Sequence, residues 1–140
     1  MEIKLPTSAK LYIDKPYVKL YWDFKKKILT SAWTGFCTHD EILAIGQRII
    51  DAVLIEGARK VLYDARGLEV LDASSQRYIS GKFTIDMMES GVKVAAVVLP
   101  DDLFAQFTVN DIQKKLAMHG GAFVNYFEDL DKAISWLKVK

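Results

Sequence analysis

Cysteine occurs once in this sequence, at Cys37, histidine twice and proline three times. A lone cysteine closes no internal disulfide, and two histidines with one cysteine are a poor stock for the three or four ligands that a zinc site draws. With only eight glycines besides, collagen-like, low-complexity and disordered chains are excluded. Long apolar runs are also missing. The longest, Val94 to Leu99, falls far short of the ~20 residues that a membrane-crossing helix needs, so the chain is not expected to be integral to a membrane. Met1, Glu2, Ile3 and Lys4 lack the apolar core of a secretory signal, which together with the single cysteine points to a reducing cytoplasm. Charge of one sign is absent too. The 19 Lys+Arg against 18 Asp+Glu leave a net charge of +1, without the basic excess that drives binding to nucleic-acid phosphates. The one basic run, Lys25-Lys26-Lys27, sits between two strand-like segments and reads as a solvated turn.

What is present is an ordinary globular composition, 51% hydrophobic and 26% charged over 140 residues. A chain of that length forms one domain and buries roughly 70% of its unfolded surface. Val18, Leu20, Trp22 and Phe24 alternate with polar residues at the strand period of two. Ile28 to Trp33 follows after a short turn, which predicts an antiparallel hairpin. Leu11 to Ile13 is either a short strand before it or a lead-in. Thr38 and Glu41 form a capping box. Ile42, Ile45, Ile49 and Val53 then make an apolar stripe that Gly57 terminates, predicting a helix over His39 to Ile55. Lys60 to Asp64 reads as a strand and Ala73 to Met88 as a helix capped by Asp72. Val92 to Leu99 is apolar nearly throughout, as in a strand covered on both faces. A helix over Leu103 to Met118, with Val109, Ile112 and Leu116 inward, is broken by His119-Gly120-Gly121. A strand over Ala122 to Phe127 and a helix over Asp129 to Lys138 close the chain. The fold class is therefore α/β: a mixed, largely parallel sheet of about five strands with four helices, an opening antiparallel hairpin followed by βαβαβα.

In such a sheet, ligands and partners meet the carboxyl ends of the strands. That edge gathers Thr34 and Gly35, then Asp64 to Gly67, Asp72 with Ser74 and Ser75, and Pro100 with Asp101 and Asp102. The stretch Val61 to Ser75 carries the most distinctive pattern: a strand ending in Asp64, a short loop with Gly67, and Asp72-Ala73-Ser74-Ser75 opening the next helix. It resembles the STAS family, which includes the bacterial anti-sigma-factor antagonists. The length, the tryptophans and the closing helix look more like that family's SpoIIAA-like branch, sometimes grouped with Sec14-type lipid-binding domains. The resemblance implies a non-enzymatic bacterial regulatory domain that docks a protein partner through the loop and helix from Arg66 to Tyr78. The partner- or anion-binding residues are then Asp64, Arg66, Asp72, Ser74 and Ser75. The family's phosphorylated serine is replaced by Ala73, so that switch is not carried over.

A phosphate at Ser74 or Ser75 would still meet the free N–H groups of a helix start. Cys37 and His39 lie two residues apart but lack further ligands for a metal, and Asp64, Asp101 and Asp102 lack the glycine loop that accompanies Mg²⁺-dependent phosphoryl transfer. No activated nucleophile is visible, and the sequence calls for no cofactor or metal. The aromatic and methionine content of the second and third helices supplies an alternative from another class. Tyr78, Phe83, Met87, Phe104 and Phe107 would line a pocket for a small lipophilic ligand. The same residues left exposed would make a homodimer face.

Overall fold

The computed structural model describes residues 5–118 and 124–140, with the side chains of residues 104 and 116–118 outside the description. The strands are β1 (Ala9–Lys15), β2 (Val18–Asp23), β3 (Ile28–Gly35), β4 (Lys60–Leu68), β5 (Val94–Val98) and β6 (Val124–Phe127). The helices are α1 (His39–Glu56), α2 (Ala73–Tyr78), a π-helical stretch (Ile79–Phe83), α3 (Thr84–Glu89), α4 (Leu103–Met118) and α5 (Leu130–Lys138). From Ala73 to Glu89 the helix runs without a break, since the residues at both junctions keep right-handed helical angles. Four helical rods thus accompany one mixed sheet, which has six strands rather than about five because the lead-in to the hairpin pairs along β2.

The strand order is β1-β2-β3-β4-β5-β6. β1 and β2 pair antiparallel with their successors, and β3 to β6 run parallel. When successive parallel strands are neighbours and every crossover is right-handed, all the crossover helices fall on one face. Side-chain parity agrees. Val18, Leu20, Trp22, Leu29, Val61 and Ala95 pack with α1, the α2–α3 rod and Ile112 of α4. Ile28, Leu62, Ala96 and Val98 face the other way and pack with Ala133 and Leu137 of α5.

Local chemistry explains where the elements begin and end. Thr38 Oγ1 accepts from Glu41 N at 3.2 Å while Glu41 Oε1 accepts from Thr38 N at 2.9 Å, so the capping box is complete. Asp72 caps α2, accepting from Ser75 N at 2.7 Å. Asp129 caps α5. The loop expected after Asp64 is instead a continuation of β4 through Leu68. Ala65 and Arg66 bulge opposite Trp33, after which pairing resumes at Thr34↔Gly67 and Gly35↔Leu68. Gly67 permits this, because a Cβ there would stand 2.9 Å from the Trp33 carbonyl oxygen. The expected helix break at His119 to Gly121, Ala122 at the strand start and the inward Leu116 side chain lie outside the described residues.

The candidate site: a carboxyl edge and a cavity beneath it

At the carboxyl edge the sequence-selected polar residues separate into two groups. Asp64 is buried on the α5 side of the sheet, where Arg66 holds it through Nε to Oδ1 at 2.9 Å and Nη2 to Oδ2 at 2.8 Å. This bidentate pair raises the Arg66 pKa, chiefly through the hydrogen bonds to Asp64. The backbone carbonyl of Arg66 also accepts from Asp101 N at 3.0 Å, tying the β5–α4 loop to the bulge. Asp72, Ser74 and Ser75 lie at the start of α2. Ser75 is fully buried, with its hydroxyl 3.2 Å from His39 Nδ1. This contact locks the start of α1 to the start of α2, and sequence alone gave no sign of it. Ser74 is exposed and accepts from Arg77 Nη2 at 3.1 Å. Asp72 is exposed, its carboxyl held below the usual range by hydrogen bonds from Ser75.

Exposed apolar side chains stand out at the same edge, and of these only Phe107 is singled out by the sequence. Phe36 is 55% exposed, Val70 43%, Leu103 70% and Phe107 68%. Phe36 and Val70 border a shallow dent shared with Glu69, Asp72 and Asp102. Leu103 follows Asp102, and Phe107 lies one helical turn further on. The expectation for Phe107 was a place in the pocket. It sits instead on the outer side of α4, because Ala105, Thr108, Val109 and Ile112 are the buried residues and the helical period puts residue 107 opposite them. The side chain of Phe104 lies outside the described residues.

Under the crossover helices is a cavity of about 120 Å³. Tyr78, Phe83 and Met87 line it from the α2–α3 rod, Ile42, Gly46 and Ile49 from α1, and Val109 and Ile112 from α4. Its floor includes Trp33, Tyr63, Val97 and Tyr126. Phe83 packs edge-on to Tyr63, centroids 6.3 Å apart, and lies 5.8 Å from the Tyr78 ring. The π-helical stretch carries Ile79 and Phe83 into this roof, and Thr84 Oγ1 donates to the Ile79 carbonyl at 2.7 Å. A π-turn widens the helix by one residue, a departure concentrated at functional sites. The floor aromatics were legible only as inward strand positions. Their meeting required the register of β4, β5 and β6.

Cys37 is buried and its thiol is pushed up to about 11 by desolvation, so it is not a thiolate at neutral pH. Among the described residues no three His, Cys, Asp or Glu side chains stand together as a metal site would require, and no helix is long and apolar enough to cross a membrane.

A family model described as SpoIIAA-like matches residues 28–138 and so begins at β3, leaving β1 and β2 outside the match. Among solved structures, the chain is similar to the NMR structure of the protein TM1081, with 16% sequence identity, 81% of this chain and 84% of that chain covered, and a TM-score of 0.60. That likeness concerns the fold. No curated protein matches the chain.

Proposed function

The chain belongs to the SpoIIAA-like family, and from that premise we propose that it is a STAS-type regulatory domain that docks a protein partner at the carboxyl edge of its sheet, around Arg66 to Tyr78. The observation that carries this reading is the exposure of Phe36 and Val70 beside the carboxylates of Glu69, Asp72 and Asp102, with Leu103 and Phe107 exposed on the first turns of α4 that follow Asp102. Apolar side chains left in water beside charged ones are the usual make-up of a protein contact. The acidic border calls for a partner that surrounds an apolar anchor with lysine or arginine. Arg66 and Ser74 flank the surface, whereas Ser75 is turned inward and positions α2. Ala73 has no hydroxyl at the place where the resemblance puts a phosphoserine, so docking here works without that modification.

Affinity capture from native lysate tests the proposal with Val70→Asp and Phe107→Asp, and with Leu11→Asp at an exposed site on β1 as a control. The expected outcome is a partner retained by the wild type and the control and lost by both edge variants. A captured set that is unchanged by the edge variants would sink the idea.

The cavity supports a second reading, a small lipophilic-ligand site. A void of 120 Å³ approaches the ~150 Å³ at which an apolar cavity holds a benzene ring. Cyclohexane, a ring of that size, should shift the methyl resonances of Ile42, Ile49 and Val97. Unshifted methyls at saturation would dismiss this reading.

A further inference from the structure

The net charge of +1 conceals a separation of sign along the strands. Asp23, Ile28, Lys60 and Val94 stand in one row across β2, β3, β4 and β5, each paired with the next. The residues just outside that row form the amino edge of the parallel strands. Lys25, Lys26 and Lys27 arrive there on the β2–β3 turn, and the Arg59 carbonyl accepts from Lys93 N at 2.8 Å, which joins the two neighbouring loops. All five side chains are exposed. α5 leaves the carboxyl edge after β6 and packs Ala133 and Leu137 along the sheet, so its last residues lie toward the amino edge, with Lys138 exposed. Acids are fewer at this end among the described residues. Asp23 is buried against Ser8, Glu56 is held by Lys10 at 3.0 Å, and Glu89 stands at the end of α3. The carboxyl edge has the opposite sign, with Glu69, Asp72, Asp101 and Asp102 exposed and Arg66 paired with Asp64.

Apolar side chains stand in water among the cations of the amino edge. Phe24 opens the turn that carries the three lysines and is exposed. Leu54 and Ile55 lie in the last turn of α1, next to that turn, since Lys27 is close enough to Glu56 for their charges to interact. Val139 follows Lys138, and it, Leu54 and Ile55 are each more than half exposed. A nucleic acid would engage the cations through its phosphates and leave these aliphatic groups without a partner. A bilayer interface takes both kinds of group, because its anionic headgroups attract lysine and arginine while apolar side chains enter the boundary beneath them. We propose that the amino edge is a docking surface for an anionic lipid membrane, with Phe24 and Ile55 set into the interface and Lys25, Lys26, Arg59 and Lys93 against the headgroups. Docked in this way, the chain turns its acidic carboxyl edge away from the bilayer and toward the solution. The two edges are separate surfaces, so this docking stands whether or not a partner binds the other one.

Cosedimentation of the full chain tests it, with vesicles of phosphatidylcholine alone and vesicles in which one third of the lipid is phosphatidylserine. The wild type should bind the anionic vesicles at least about tenfold more tightly, and added salt should weaken that binding. Lys25→Gln/Lys26→Gln should weaken it about twenty-five-fold, roughly fivefold for each charge removed. Lys27 is left in place because its backbone is left-handed. Lys15→Gln/Arg77→Gln, which removes two exposed cations away from this edge, should change binding less than about threefold. Phe24→Ser/Ile55→Ser should cost about tenfold on anionic vesicles. Equal binding of the wild type to both vesicles, binding to neither, or equal losses in the two charge variants would overturn the proposal. So would a short DNA duplex bound more tightly than the anionic vesicles, with Phe24→Ser/Ile55→Ser indifferent on both, which would assign the edge to nucleic acid. The comparison of the two vesicles uses the wild type alone and decides the matter even if a variant does not fold.

Discussion

On the face of the sheet covered by α5, Ala96, Val98, Ala133 and Leu137 are sealed from solvent in one small cluster. On the face covered by α1, the α2–α3 rod and α4, a larger cluster borders a partly open cavity of about 120 Å³. The sheet is the same, so the difference lies in what covers it. A single helix with alanine at its contact can approach strands closely and fill space at crystal-like density. Three helices bridging several strands must meet over large rings, and here one of them carries a π-turn. Gly46 lets the Tyr78 ring lie against α1, since a Cβ at that position would run into the Tyr78 hydroxyl. The void is thus a local property of the aromatic roof and floor, not a sign of loose packing throughout.

Substitutions on the two faces should respond in opposite ways, and the largest effect is expected where packing is tightest. Leu137→Ala should cost about 3 kcal/mol in urea unfolding, as for a fully buried leucine whose site cannot collapse. A loss under about 1 kcal/mol would mean that α5 docks loosely and that the contrast is false.

The sharpest comparison uses neighbours in β5. Ala96 belongs to the dense cluster and Ala95 lines the cavity. Ala96→Val should destabilise by about 1–3 kcal/mol through overpacking. Ala95→Val should be neutral or stabilise by up to about 1 kcal/mol by filling space. Two losses of equal size would show that the cavity closes in solution.

The last comparison is one of pH, and its effect is confined to alkaline solution. Tyr63 and Tyr126 have raised pKa values in the folded protein, chiefly from burial. The folded state keeps these protons longer than the unfolded chain, whose phenols titrate near 10. The stability they contribute is complete below pH 10 and is lost as pH rises through the folded values, about 12 for Tyr126. The unfolding midpoint should therefore fall between pH 10 and 12, less steeply in Tyr63→Phe/Tyr126→Phe. Parallel pH curves for the two proteins would contradict the burial of these phenols.

Much of the architecture was legible because it is local. Thr38 with Glu41, Gly57, and the stripe Ile42, Ile45, Ile49, Val53 fix α1 through caps and period alone. The alternation in β2 and the uniform apolarity of β5 declare one partnered and one doubly covered strand. The candidate site was legible only in pieces. Asp72 as a helix cap and Asp64 at a strand position follow from nearest neighbours in sequence, but their separation onto different sides of the edge does not. Nor does the burial of Ser75 against His39, a contact across 36 residues. Phe107 reads as a pocket residue if helix content alone is counted, and as an outward one once Ala105, Val109 and Ile112 define the buried side.

Caps, turns and periodicity act over a few residues, so the element types, their order, the parallel sheet and the region of the edge where chemistry gathers can be read from the chain alone. That β4 continues past Asp64 on a bulge, that Phe36, Val70 and Leu103 are exposed at one edge, and that Tyr63 and Tyr126 line one cavity emerge with the folded arrangement. Those outcomes depend on strand register and on how closely each helix can approach the sheet. Both are set by long-range packing that no short window of residues encodes.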